Sequence, residues 1–169
     1  SILQAKKFST QIIVPYCDHF YDGSLENLAL LKQSIKINHE AQFIPFKYDP
    51  STTHTLWRGW QFLLRLLGLG RVFGPQYWIC YSRHLGFSHV NKNIDYVLFL
   101  DSDEIIDAQR FLAWLNTKEY QKFNCLKLAN YWYWRSPKYQ ATAWEDSVIL
   151  VKKSCLKSAM FFSRLGSGK

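Results

Sequence analysis

Five apolar residues in succession, Tyr96-Val97-Leu98-Phe99-Leu100, run directly into Asp101-Ser102-Asp103. A short apolar run bounded by polar residues reads as a buried strand, and it is the clearest such run in the chain. Carboxylates leave an apolar layer unless something there pairs with them, so the acids mark where the strand surfaces. A pair at positions i and i+2 can point into one cleft. Hard divalent cations such as magnesium or manganese prefer oxygen ligands and keep waters and substrate phosphates in their shell. One aspartate can then hold the metal while the other holds a ribose or sugar hydroxyl. The competing reading is a solvated acidic loop after a strand.

The rest of the pattern supplies a frame for that strand. Gln11-Ile12-Ile13-Val14 reads as a buried strand stopped by Pro15, followed by loop over 16–23. Ser24 is the expected N-cap of a helix over 25–37, with Leu28, Leu31 and Ile35 on one face. Residues 41–48 read as a second strand, and Asp49-Pro50-Ser51 as a turn. An amphipathic helix is expected within 56–69, and further helices over 75–87 and 107–115. Later strands are expected over 125–134 and 147–152. Strands alternating with helices predict an α/β domain with a mostly parallel central sheet. Ligands bind beyond the carboxyl ends of such strands, which here carry the polar loops 15–22 and 101–104.

Several segments together resemble the family 2 glycosyltransferases, whose fold is called GT-A. Ile12-Ile13-Val14-Pro15-Tyr16 is similar to the family's opening strand. Asp49-Pro50-Ser51 stands where the family places an Asp-rich turn. Ser82-Arg83-His84-Leu85-Gly86-Phe87 resembles the Arg-Asn-x-Gly segment, with His84 in place of the asparagine. The strand ending in Asp101-Ser102-Asp103 follows in the family's order. The resemblance covers residues 11–107. It implies one GT-A-like, Rossmann-type sandwich over 1–169, with the C-terminus open to truncation. It also implies a donor site in which Pro15 and Tyr16 border the base and Asp49 contacts base or ribose. Arg83 would lie against base or diphosphate, and Asp101 and Asp103 would bind ribose and metal. The implied activity is transfer of a sugar from a nucleotide diphosphate sugar to a hydroxyl acceptor, with inversion, using manganese or magnesium. Family members use an acid of a Glu-Asp motif as base, which assigns Asp146 that role with Glu145 beside it. Surface acids at the start of a strand are the other reading of this pair.

Composition fits this frame and narrows the partners. A net charge of +8 suits a phosphate-rich ligand, and with no basic run longer than two residues a nucleic-acid arm is not indicated. Aromatic residues make up 17% of the chain, and Tyr131-Trp132-Tyr133-Trp134 is their densest run. One face of that run could pack a core while the other stacks on an acceptor sugar. Leu56-Trp57-Arg58-Gly59-Trp60-Gln61-Phe62-Leu63-Leu64-Arg65 sets basic residues beside an apolar stripe, so peripheral contact with an anionic membrane stays open. Cys17, Cys80, Cys125 and Cys155 form no CxxC pair, which predicts free thiols in a reducing, cytoplasmic setting. A nucleotidyltransferase would also use strand-end acids, but it would want a glycine-rich loop near the first strand. A carbohydrate-binding or membrane-peripheral module of the same fold, without transfer, is the non-enzymatic alternative.

Overall fold

The computed structural model describes residues 2–20, 24–48, 75–133 and 138–157. The chain divides into two compact units, Ser1–Thr10 with Lys92–Leu156 and Gln11–Asn91 with Lys157–Lys169. Both mix helix and strand, so the chain is α/β. The expected helix within 56–69, the turn at Asp49-Pro50-Ser51 and the aromatic Trp134 lie outside the described residues.

In the unit built on Gln11–Asn91, strand β1 (Ile13–Tyr16) pairs in parallel with β2 (Gln42–Pro45). Pro15 does not stop β1. The Ile12 and Tyr16 carbonyls accept from Gln42 and Phe46 N–H, each at 2.8 Å. Residues 12, 14 and 16 therefore face β2 and residues 13 and 15 face away. The N–H that proline lacks costs this pair no bond. β2 is shorter than expected and ends at Pro45.

The intervening helix starts late. Phe20 N–H donates to the Ser24 carbonyl and Glu26 N–H to the Asp18 carbonyl, and His19 bridges to Leu25. Residues 24–26 are committed to that pairing, so Ser24 is not the N-cap. Helix α2 (Ala29–Ile37) begins after Asn27, whose side chain accepts from Ala29 N–H at 3.0 Å. The expected face survives, with Leu28, Leu31 and Ile35 half-buried while Leu30 and Ile37 are exposed.

Helix α3 (Pro75–Ser88) buries Trp78 and Cys80 and packs against β1. Gly86 is the point of closest approach. A Cβ there would stand 3.1 Å from Pro15 Cγ and 3.8 Å from Ile13 Cγ2. Gly86→Val is expected to cost about 1–3 kcal/mol through this crowding, read as a lower urea midpoint at unchanged slope. A variant as stable as the parent would mean that α3 and β1 do not approach so closely.

The other unit carries a three-stranded antiparallel sheet, ordered β3 (Tyr96–Phe99), β5 (Gln140–Lys152), β4 (Cys125–Tyr133). The expectation of one mostly parallel sheet is thus met by β1–β2 alone among the described residues. Among the described residues β3 is an edge strand, and its four residues are half-buried rather than fully buried. The burial falls on central β5, at Val148, Leu150 and Val151. Helix α4 (Ala108–Asn116) adds Ala108 and Phe111, with Phe8 edge-on to Phe111 at 4.8 Å. Its N-cap is Asp107, which accepts from Gln109 and Arg110 N–H.

β5 begins at Gln140, seven residues before the expected Ser147. The added stretch, Gln140-Ala141-Thr142-Ala143-Trp144-Glu145-Asp146, has no run of large apolar residues to announce a strand, and it pairs with β4. That ladder continues from Leu128↔Val148 through Ala129↔Asp146 and Asn130↔Glu145 to Tyr133↔Gln140. Ser147 is the extra residue of a β-bulge. Since β3 ends opposite Ile149, the β4–β5 ribbon runs on past the end of β3. All four cysteines are free. Among the described residues no helix is long and apolar enough to cross a membrane.

Candidate functional site

β3 delivers the chain to a tight turn at Asp101-Ser102-Asp103-Glu104. Asp101 and Asp103 are exposed, whereas Glu104 is only 8% exposed. The turn is closed twice. Glu104 N–H donates to the Asp101 carbonyl at 3.1 Å, and Glu104 Oε2 accepts from Asp101 N–H at 2.7 Å. The second bond is the reach-back half of a capping box, here closing a turn instead of starting a helix. The other carboxylate oxygen, Oε1, accepts from Asn130 Nδ2 on β4 at 3.5 Å.

The sheet register brings the acidic turn and the Glu145-Asp146 pair to one end of one sheet. Asp101 follows directly from β3, whose Phe99 pairs with Ile149, and Glu145 and Asp146 lie just beyond on β5. The pair is inside a strand, not at its start. By register Glu145 is the partner of Asn130, and Asp146 that of Ala129. Along β4, Asn130 lies on one face and Ala129, Tyr131 and Tyr133 on the opposite one. That opposite face of β4 is exposed throughout, including Tyr131 at 43% and Tyr133 at 53%. Core packing therefore does not account for these two tyrosines.

Among the described residues no group of three or more His, Cys, Asp or Glu side chains is arranged to hold a metal ion. What the turn offers is two exposed carboxylates one residue apart. Magnesium-type sites often use one or two carboxylates and take further oxygens from phosphates and water, and the donor set at Asp101 and Asp103 suits that mode.

The remaining candidates belong to the other unit. Pro15 and Tyr16 are half-buried on β1, and Arg83 is half-buried on α3, the helix that lays Gly86 against Pro15. Asp49 lies outside the described residues. The loop just beyond β1, one of the two polar strand-end loops expected to face a ligand, holds contacts that the sequence did not reveal. There Asp18 Oδ1 meets His19 Nδ1 at 2.7 Å, and the His19 ring stacks on Tyr48 at 5.1 Å. The His19 hydrogen bond holds the Asp18 carboxyl below its ordinary range. Cys17 Sγ donates to the His19 carbonyl at 3.0 Å. Burial pushes the Cys17 thiol up, and the nearby Asp18 and Glu26 carboxylates add to that, so Cys17 is no activated nucleophile. Behind this loop Tyr48, Phe46, Trp78, Tyr77 and Tyr81 form a continuous aromatic cluster, which accounts for part of the high aromatic content.

Comparison with protein-family models, with curated proteins and with solved structures finds no match for this chain.

Proposed function

We propose that the chain is a GT-A-like glycosyltransferase domain, transferring a sugar from a nucleotide diphosphate sugar to a hydroxyl acceptor. The observation that carries this is the acidic turn at the end of β3, with the Glu145-Asp146 rungs at the same end of the sheet. Asp103 holds manganese or magnesium, and Asp101 takes a ribose or sugar hydroxyl or shares the cation. The bound cation would neutralise charge on the departing diphosphate. Asp146 accepts the acceptor's proton as base, with Glu145 beside it contacting an acceptor hydroxyl. The roles of Pro15, Tyr16, Asp49 and Arg83 at the nucleotide rest on the sequence resemblance alone.

A panel of nucleotide sugars tested for thermal stabilisation, with and without manganese, decides the matter. A donor present at about a hundred times its Kd stabilises by about 2.7 kcal/mol, which for a chain of this size raises Tm by roughly 5–10 °C. That rise should require manganese. No shift with any nucleotide sugar in manganese would refute the proposal. The exposed Tyr131 and Tyr133 favour a second reading, a sugar-binding module without transfer. Stabilisation by free sugars, independent of metal and nucleotide, would be its result.

A further inference from the structure

The end of the antiparallel sheet opposite the acidic turn is built from three lysine-bearing segments. Lys152 pairs with Tyr96 at the start of β3, and its N–H donates to the Asn124 carbonyl at 2.8 Å. Lys153 N–H donates to the Asp95 carbonyl at 2.7 Å. The Tyr96 and Tyr120 rings meet edge-on at 5.0 Å. These contacts gather Lys92, Lys118, Lys122, Lys152 and Lys153 at one end of one sheet, against two acids, Asp95 and Glu119. Glu119 is already bonded to Lys122 at 2.5 Å.

Two further features point to a partner surface. Phe123, next to Lys122, is 49% exposed, while Tyr96 and Tyr120 are half-buried against each other. Lys118 holds a backbone φ of 59°, the only positive value at a non-glycine residue among the described residues. Glycine would take that place after α4 without strain. The negative end of the α4 dipole favours a cation at Lys118. It does not account for the lysines that meet it from residues 92–96 and 152–153.

We infer that this end of the sheet docks on an anionic lipid bilayer, with the lysines among the headgroups and Phe123 in the interface. Each lysine near such a surface contributes about fivefold in partitioning. A nucleic acid fits less well. Its phosphates and bases are held largely by arginine forks and by several stacked rings, and these segments carry no arginine and one exposed ring. The docking also sets an orientation. β3 leads from the lysines to Asp101, and its four residues span about 13 Å. That exceeds the screening length of about 8 Å at physiological salt, so the acidic turn escapes repulsion and faces away from the bilayer. The inference is independent of the transferase reading and makes no use of residues 56–65.

The test is co-sedimentation of the full chain with vesicles, at physiological salt, with circular dichroism on each variant. One set of vesicles is phosphatidylcholine alone, the other phosphatidylcholine and phosphatidylserine in equal parts. The parent should bind only the second set, and more weakly at about 1 M salt, where the screening length falls to about 3 Å. Lys118→Gln, Lys122→Gln and Lys152→Gln combined should weaken binding by about 100-fold. Phe123→Ala should weaken it by about tenfold, for the loss of roughly half a phenylalanine's burial. All four side chains are exposed, so these variants should fold. Lys32→Gln with Lys36→Gln, also exposed but on α2, should bind like the parent. A comparable loss per lysine in that α2 pair would mean attraction by net charge alone and overturn the inference. Undiminished binding by the triple variant or by Phe123→Ala would overturn it too. So would a parent that sediments with neither set of vesicles, including one that binds a single-stranded oligonucleotide instead.

Discussion

Asp103→Ala should abolish manganese-dependent binding of a nucleoside diphosphate while leaving the fold intact. Asp103 is exposed, and the bonds that close its turn run between Asp101 and Glu104. Exposed positions free of such structural features change stability by no more than about 0.5 kcal/mol. The loss is instead of a charged oxygen ligand. Metal stabilisation of phosphate charge is worth several kcal/mol, so affinity should fall by about 100-fold or more. Calorimetric titration of the diphosphate, with and without manganese, separates the two effects. Undiminished affinity in the presence of manganese would remove Asp103 from the site.

Trp78→Ala is expected to be the most destabilising single change among the described residues. Trp78 is 4% exposed, and the rings of Tyr48, Tyr77, Tyr81 and Phe46 lie 4.8, 5.2, 5.6 and 6.1 Å from its own. Truncating a buried tryptophan removes its transfer free energy and leaves a cavity, together about 3–5 kcal/mol. Domains of this kind are stable by about 5–15 kcal/mol in total, so the variant should sit close to its unfolding threshold. Urea denaturation followed by far-ultraviolet circular dichroism measures it. A loss below about 1 kcal/mol, the centre of the range for ordinary point mutations, would show that the aromatic cluster is not what holds Phe46 and Tyr48, just after β2, to α3.

The parts of this fold that were legible in the sequence are those in which one local pattern had no competitor. The apolar run ending at Asp101 is β3, and the helices expected over 75–87 and 107–115 appear as Pro75–Ser88 and Ala108–Asn116. Misreadings arose where partners distant along the chain decide. Ser24 has the chemistry of an N-cap, but its segment is taken up by bonds to residues 18–20. Pro15 breaks most strands, and only the phase of the β1–β2 ladder shows that its nitrogen faces away. The first half of β5 has no run of large apolar residues, and its pairing partner β4 lies elsewhere in the chain. At the candidate site the two outer aspartates were readable from their place at a strand end. Glu104 was not, because a third acid in an acidic turn gives no sign of being buried. The Asp-x-x-Glu spacing at residues 101–104 was the available signal, since it matches the reach-back geometry of a capping box. Asn130, its partner 26 residues on, left no local signal at all.

The extra residue at Ser147 has a bearing on how such a domain can diverge. Below it, Val148, Leu150 and Val151 are locked into the sheet by burial, and a slip there would turn apolar side chains outward. Above it, the ribbon over 140–146 lacks such a run of buried aliphatic residues and is paired with β4. A one-residue insertion at the bulge can bring Asp146 in place of Glu145 opposite Asn130 without shifting the register of the strand below. Two acids of different reach can thus be traded at one position of the ribbon by a single insertion, with no substitution and with the buried rungs left in register.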